Sequence, residues 1–252
     1  CYYLVMYEDK IAEAESLKVE IDRYGPLSPA MVRQLKEYYK IGLTYSSNAL
    51  EGNSLTETET KVVLEDGITV GGKPIRDHFE AIGHSEAYNL LFELARESRI
   101  KEKEILELHR LFYYRIDREN AGRYRKERVI ITGSSYMPPS PDEVPELMKG
   151  FIKGIPALKK RYHPIEYSAL VHKEFVGIHP FIDGNGRIAR LLMNLCLLQE
   201  GYPVTIIPPI MRVDYINSLE IAHTKGDSKP FINFISHIVY ERLKEYLRMI
   251  SG

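Results

Sequence analysis

The sequence predicts an all-α protein, a bundle of helices that carries one small β-hairpin. Apolar residues recur at helical spacing through most of the 252 residues, and several of these stretches begin with a helix start signal. A β-branched run followed by a Gly-Ser turn, as expected of a strand, occurs at residues 129–135. No repeat, low-complexity tract or linker divides the chain, so we expect one compact unit.

The helices can be placed in order from their start signals. Pro29 follows Ser28 at a first-turn position, and Thr56-Glu-Thr-Glu59 is a capping box that opens another helix. Ser140-Pro-Asp-Glu143 repeats this device after a loop-like, glycine-rich segment at residues 67–73. Helical spacing predicts helices at residues 10–24, 28–50, 74–97, 101–115, 164–177, 185–199, 211–224 and 230–250.

Composition excludes several classes of function. A net charge of −1 offers no electrostatic basis for binding nucleic acid or an anionic membrane. Two cysteines, Cys1 and Cys196, do not make a disulfide framework, and no segment reaches the ~20 apolar residues of a membrane span. The N-terminus lacks a basic region followed by an apolar one. We therefore expect a cytoplasmic protein, and a first residue other than Met leaves upstream residues possible.

Residues 179–190 carry the chemistry of a phosphate site. They read His-Pro-Phe-Ile-Asp-Gly-Asn-Gly-Arg-Ile-Ala-Arg. His179 could take a proton from an attacking hydroxyl, because imidazole titrates near neutrality. Asp183 supplies the hard oxygen ligand that Mg²⁺ prefers beside nucleotide phosphates.

The end of this segment predicts an anion cradle. Leu191 and the leucines after it have helical spacing, so Gly184, Asn185 and Gly186 should lie at a helix N-terminus, where free N–H groups and the helix dipole favour phosphate. Arg187 and Arg190 are three residues apart and share a helix face, which would let them clamp a polyphosphate.

Each feature of this segment has an ordinary structural explanation when taken alone. A single histidine is more often structural than catalytic, Gly-Asn-Gly alone is a turn, and two arginines on a helix often form a solvated face. Asp183 alone could be a loop residue or an N-cap. The combination in this order favours the functional reading, because each residue type serves a different part of one reaction.

The pattern His-x-Phe-x-Asp-Gly-Asn-Gly-Arg-x-x-Arg resembles the signature of the Fic family, whose best-known members are protein adenylyltransferases. The resemblance covers roughly residues 45–238. It implies a Fic-type helical bundle with a small β-hairpin flap over the active site, and ATP and Mg²⁺ as co-substrate and metal. His179 would be the general base, Asp183 the metal ligand, and residues 184–190 the phosphate-binding segment.

A second segment, residues 45–53, resembles the inhibitory motif of one Fic subclass. It contains Ser47, Glu51 and Gly52. The resemblance implies that Glu51 pairs with Arg190, occupies the guanidinium that the γ-phosphate of ATP needs, and holds the enzyme inactive. Without that context, the same residues could simply be a helix C-terminus with Gly52 as its stop.

Two further regions resemble parts of the family's site. The predicted hairpin resembles the flap that holds a target segment by main-chain pairing, although an ordinary surface hairpin would have the same sequence pattern. The residues of the predicted flap are Val129, Ile130, Ile131, Thr132 and Gly133. The helix at residues 211–224 resembles the one beside the nucleotide base. Tyr215, Ile216 and His223 would then line an adenine pocket, although a half-buried core tyrosine is an equal reading of Tyr215.

We therefore expect residues 1–66 to be an N-terminal helical region, with the inhibitory helix at about residues 44–52, and residues 67–252 to be the Fic catalytic core. The resemblance implies transfer of AMP from ATP to a Ser, Thr or Tyr hydroxyl of a target protein, or of this chain itself, under inhibition by Glu51. Three other functions stay open: removal of AMP, transfer of another phosphate-linked group, and a catalytically silent nucleotide-sensing module. The chain could also form a homodimer.

Overall fold

A computed structural model describes residues 7–251 of the chain. Within that range the protein is built from helices, turns and loops, and no residue is in a β-strand. The α-helices are α1 (Ile11–Asp22), α2 (Pro29–Ala49), α3 (Glu57–Lys61), α4 (Ile75–Leu94), α5 (Glu102–Tyr113), α6 (Val144–Arg161), α7 (Pro164–Ile178), α8 (Asn185–Gln199), α9 (Arg212–Thr224) and α10 (Lys229–Ser251). The expected all-α class is thereby confirmed.

Helix α8 lies at the centre of the molecule. Its residues are apolar on nearly every face and buried from Ile188 to Leu197, as a helix surrounded by other helices requires. It packs against α7 along its length and also contacts α2, α4 and α5. The N-terminal end of α8 is therefore held rigidly, and this is the end that carries the predicted anion cradle.

Helix α2 brings the predicted inhibitory residues to α8. The Oγ of Ser28 accepts a hydrogen bond of 3.2 Å from the Met31 N–H and caps its start. The helix then runs without interruption for 21 residues to Ala49. The inhibitory segment is therefore not a separate short helix: Ser47 lies in the last turn of α2, and Glu51 and Gly52 lie in the turn that follows it. Because α2 contributes Leu35, Tyr39 and Leu43 to the same core cluster as α4, α5 and α8, its end has a defined position.

The predicted β-hairpin flap is wrong for the described chain. Residues 126–139 form a loop with a turn at residues 132–133, and residues 129–133 pair with no neighbouring strand. Side chains anchor the loop instead. The Glu220 carboxylate on α9 accepts hydrogen bonds from the hydroxyls of Ser134 and Ser135, and Pro138 and Pro139 have no N–H to contribute to a ladder. The β-branched run therefore lies in a loop and not in the predicted strand.

Two other features bear on the sequence expectations. Cys196 is a buried, free thiol of α8, whereas Cys1 lies outside the described residues. Among residues 7–251, the helices are all too short or too polar to cross a lipid bilayer.

Candidate active site

His179 ends helix α7 in a left-handed conformation. Its φ of 52° and ψ of 57° make it the one non-glycine residue with positive φ in the described chain, a conformation found mostly where function or tight packing demands it. Its ring Nδ1 lies 3.3 Å from the Val176 carbonyl oxygen. Since a carbonyl only accepts, Nδ1 carries the proton and Nε2 keeps a free lone pair.

The protonation state of His179 suits a base. Burial lowers the pKa of its imidazole from 6.5 to about 4, and this loss of hydration outweighs the hydrogen bond to Val176. Arg125 lowers the pKa further, while the carboxylates of Glu51 and Asp183 raise it. The ring is therefore neutral at physiological pH and able to accept a proton.

The loop after His179 turns sharply into α8. Gly184 is the N-cap residue with φ of 83°, and a Cβ there would lie 2.8 Å from the Phe112 ring. The Asn185 side chain closes this turn, because its Oδ1 accepts from the Phe181 N–H at 2.9 Å and its Nδ2 donates to the Phe181 carbonyl at 2.8 Å. Asn185 can therefore offer a phosphate its backbone N–H, but its side chain is already engaged.

A carboxylate of the chain itself lies over this cradle. A Cβ on Gly186 would overlap Oε1 of Glu51, so only a glycine admits an anion so close to the helix. The same Oε1 accepts a hydrogen bond of 2.7 Å from Nη2 of Arg190. Burial alone would raise the pKa of Glu51, but Arg190 and Arg187 together hold it below its ordinary value.

Arg190 is 1 % exposed and fully engaged. Its Nε donates to Ser47 Oγ at 2.9 Å, and its Nη2 also donates to the Ser47 carbonyl at 2.7 Å. Its Nη1 donates to the Tyr215 hydroxyl at 3.1 Å. The predicted Ser47, Glu51 and Arg190 thus meet in one buried cluster across 143 positions of sequence, and Gly52, with φ of 95°, turns the chain directly after it.

A second ionic cluster surrounds Asp183. Its Oδ1 accepts from the Gly184 N–H at 2.6 Å and from Arg187 Nη2 at 2.9 Å, and its Oδ2 accepts from Arg76 Nη2 at 2.5 Å. Arg187 and Arg76 each also pair with Glu80, at 3.3 and 3.2 Å. Sequence reasoning missed Arg76 and Glu80, since nothing in the sequence connects α4 with a loop about a hundred positions later.

The two clusters face one cavity. It has a volume of about 260 Å³, and its lining residues are polar or charged apart from one glycine: Glu51, Gly52, Asn53, Arg76, Asp77, Glu80, Asp183 and Arg187. Within residues 7–251 no group of three or more His, Cys, Asp or Glu side chains could hold a metal ion by itself. This donor set fits Mg²⁺ held by one carboxylate together with nucleotide phosphates, which is the usual mode for that ion in phosphate-handling enzymes.

The predicted base pocket is only partly open. Tyr215 is buried in the core, with its hydroxyl 2.9 Å from His172 Nε2, so its ring is not available to stack on a base. Tyr215 is therefore a core tyrosine, more deeply buried than the half-buried one considered from the sequence. Ile216 is 39 % exposed on the outer face of α9. His223 donates from Nε2 to the Lys173 carbonyl at 2.9 Å and stacks on Tyr136 at 4.8 Å.

Arg125 connects the loop at residues 126–139 to His179. This buried guanidinium donates to the carbonyls of His179 at 2.8 Å, Glu127 at 3.0 Å and Pro139 at 2.6 Å. It therefore draws the two ends of residues 127–139 together beside His179. Between those ends, Ile130 is 78 % exposed, which leaves the predicted target-binding segment on the surface.

Comparison with known proteins identifies the family of this chain. Residues 99–197 match a family model described as the Fic/DOC family. The structure of Fic-1 (residues 134–508) from C. elegans superposes with a TM-score of 0.85 at 31% identity, over 95% of this chain and 71% of that one. This chain belongs to the Fic/DOC family. A Fic domain-containing signaling protein from Bacteroides thetaiotaomicron also superposes with a TM-score of 0.85, at 30% identity over 96% of this chain and 98% of that one.

Longer Fic relatives are also similar in sequence. The "Protein adenylyltransferase Fic" of Drosophila willistoni is 36% identical over 242 residues, and that of Drosophila grimshawi is 38% identical over the same length. This Fic chain spans about half the length of those relatives, 48% and 49%. The family-model match covers α5 to α8 and thus His179 to Arg190, whereas the Glu51 segment lies outside it.

Proposed function

We propose that this Fic chain transfers AMP from ATP to a Ser, Thr or Tyr hydroxyl of a protein, and that Glu51 restrains it. One observation carries the proposal. A neutral histidine stands beside a helix N-terminus with two arginines, and a carboxylate of the same chain lies where a phosphate would bind. The histidine, the helix N-terminus and the arginines are the groups needed for nucleophilic displacement at phosphorus, and the Glu51 carboxylate is a group that blocks it.

The reaction would use the residues as follows. His179 Nε2 takes the proton of the incoming hydroxyl, whose oxygen attacks the α-phosphorus while the bond from that phosphorus to the bridging oxygen breaks. Pyrophosphate leaves with the negative charge that Arg187, Arg190 and the N-terminus of α8 stabilise. Asp183 would hold Mg²⁺, which neutralises phosphate charge when it is bound.

Restraint follows from competition for one guanidinium. Glu51 and a γ-phosphate cannot both take Nη2 of Arg190, so ATP must either displace the carboxylate or bind with its phosphates out of line. Glu51 lies in the turn directly after α2, and Ser47 in the last turn of that helix accepts two further hydrogen bonds from Arg190. The inactive arrangement is therefore held by several contacts at once.

The loop at residues 126–139 offers a place for the target. The Ile131 carbonyl accepts from the Ser134 N–H in a turn in which Gly133 has a φ of 81°, so Val129 and Ile130 are the part of the segment before this turn. Arg125 holds the flanks of the loop against the backbone of His179. An incoming segment that pairs with the main chain of Val129 and Ile130 would present its hydroxyl beside the base without requiring a particular sequence. Ile216 and His223 lie on α9 at the far side of this loop, where they would border the base of the nucleotide.

Removal of AMP is a second candidate. The hydrogen bond of Glu51 is made by Oε1, and its side chain keeps 34 % exposure toward the cavity. Its second oxygen is thus placed to orient a water molecule, which could attack a phosphodiester in the reverse sense. In that case Glu51 would be required for the reaction and would not oppose it.

Labelled ATP distinguishes these functions. We expect the Glu51→Gly protein, incubated with Mg²⁺ and ATP labelled at the α-phosphate, to label itself or added protein, and ATP labelled at the γ-phosphate to give no label. Wild type should label far less. Label from the γ-position would contradict adenylyl transfer, and loss of AMP from a modified protein with wild type but not with Glu51→Gly would favour removal. Absence of both reactions would leave a nucleotide-sensing module.

A further inference from the structure

A guanidinium engages the carboxylate that is our candidate metal ligand. Arg76 Nη2 lies 2.5 Å from Asp183 Oδ2, while Oδ1 accepts from Arg187 and from the Gly184 N–H. Both oxygens of Asp183 therefore have protein donors. An incoming divalent cation needs one of these oxygens in direct contact. Although each oxygen has two lone pairs, a cation on either one would lie beside a guanidinium, and the repulsion between the two positive charges favours displacement of that arginine.

Arg76 and Arg187 differ in their freedom to move. The Arg187 side chain is 5 % exposed, and its guanidinium lies 4.7 Å from the centre of the Phe112 ring. The Arg76 side chain is 52 % exposed. Both arginines also pair with Glu80, so what distinguishes them is burial. Arg187 could leave Asp183 only by moving a buried guanidinium off the Phe112 ring, whereas Arg76 can turn into water and keep its contact from Nε to Glu80 at 3.2 Å.

The position of Arg76 also matters. Arg76 and Asp183 line the same 260 Å³ cavity as Glu51. A positive charge at this rim repels a free divalent cation, but it attracts the phosphates of a nucleotide that carries the metal in. The positive charge of Arg76 therefore disfavours binding of free Mg²⁺ to the protein. It disfavours Mg²⁺ less when the ion arrives bound to a nucleotide.

We propose that Arg76 sets the metal affinity of this site: it is a built-in counter-ion that competes with Mg²⁺ for Asp183 and turns away when nucleotide delivers the metal. The proposal rests on the proposed function, in which Asp183 is the metal ligand. Arg76 acts through Asp183 and is a positioning residue in this scheme. Its removal should strengthen metal binding, the opposite of what loss of a phosphate-binding arginine would do.

The test compares nucleotide affinity with and without metal. Calorimetry would use the Glu51→Gly protein and an ATP analogue with a methylene group between the α- and β-phosphorus, which cannot release pyrophosphate. The ratio of the dissociation constant in EDTA to that in Mg²⁺ measures how strongly metal supports binding. Arg76→Gln should raise this ratio by about threefold to tenfold, the range between an exposed ion pair and a charge-assisted hydrogen bond.

Matched variants make the outcome decisive. Arg115→Gln removes another exposed arginine, which pairs with Glu86 outside the site, and should leave the ratio unchanged. An unchanged or smaller ratio in Arg76→Gln would overturn the proposal. A large loss of affinity for the ATP analogue in EDTA would also overturn it, because Arg76 would then be a phosphate ligand. Asp183→Asn should bring the ratio close to one. If the parent protein already shows no dependence on metal, the metal role of Asp183 fails, and that failure is visible without any Arg76 variant.

Discussion

Glu51 Oε1 and Arg190 Nη2 lie 2.7 Å apart although 139 positions separate the two residues in sequence. The contact joins the turn that follows α2 to the first turns of α8 and lies over Gly186. The Glu51 carboxylate thus occupies an anion site. A phosphate that binds there must displace the carboxylate, at the cost of the free energy that stabilises the Glu51–Arg190 contact. Four predictions follow from this relationship and from the state of His179.

Removal of the Glu51 carboxylate should activate the protein. A partly buried, charge-assisted pair contributes on the order of 1–3 kcal/mol, so Glu51→Gly should raise self-adenylylation by roughly tenfold to a hundredfold, since about 1.36 kcal/mol is a decade in rate. The rate of label incorporation from α-labelled ATP measures this. Arg190→Ala should not activate, because it also removes the phosphate partner, and the double variant should stay slow.

A control for Glu51→Gly exists at the other end of α8. Glu200 also follows a helix end and pairs with a cation, Lys159, about 20 Å along the helix from the site. Glu200→Gly should leave the labelling rate unchanged. A folded Glu51→Gly protein no faster than wild type would argue against the inhibitory role.

His179→Ala in the Glu51→Gly protein should abolish most of the transfer. We expect a fall of roughly 10²–10⁴-fold, the usual contribution of a positioned general base, with nucleotide affinity within about twofold, because the ring contacts the hydroxyl and not the phosphates in this mechanism. Single-turnover labelling and calorimetry measure the two quantities separately. An equal loss of affinity would mean that His179 supports the fold or the nucleotide instead.

The rate should depend little on pH around neutrality. Burial lowers the pKa of His179 to about 4, so the ring is a neutral base throughout pH 6–8, and the rate should fall only as acid protonates it near the lowered pKa. Glu51 raises this pKa, so its removal lowers the pKa further and extends the flat region. A ring titration followed by NMR in the protein without nucleotide tests this directly, and a midpoint near 6.5 would contradict the burial argument.

Gly186→Ala should reveal the position of Glu51 through stability. In a helix, Ala is favoured over Gly by about 0.5–1 kcal/mol, and with Glu51→Gly that gain should appear in the free energy of unfolding. In wild type the added Cβ overlaps Oε1 of Glu51, so the gain should be lost or reversed. Urea denaturation of the four proteins gives the coupling. Equal effects in both backgrounds would show that Glu51 does not lie over Gly186.

The sequence was most informative where the function depends on residue type and local spacing. The predicted helix at residues 28–50 is observed as Pro29–Ala49, and the predicted helix at residues 185–199 is observed with those same ends. Capping residues and apolar spacing act within a few turns, so they can be read without knowing the fold. The motif from His179 to Arg190 is likewise continuous, which is why its candidate roles could be assigned residue by residue.

Apart from the Glu51–Arg190 pair, which the family resemblance implied, only the tertiary structure decided which distant groups meet. Arg76 pairs with Asp183, Arg125 binds the carbonyl of His179, and Tyr215 is buried against Arg190. The β-branched run at residues 129–133 finds no strand partner in the described chain, and the side chains of Glu220 and Arg125 anchor its flanks. Local propensity determines what conformation a segment favours, whereas the choice between possible partners depends on burial and charge, which exist only once the helices have packed.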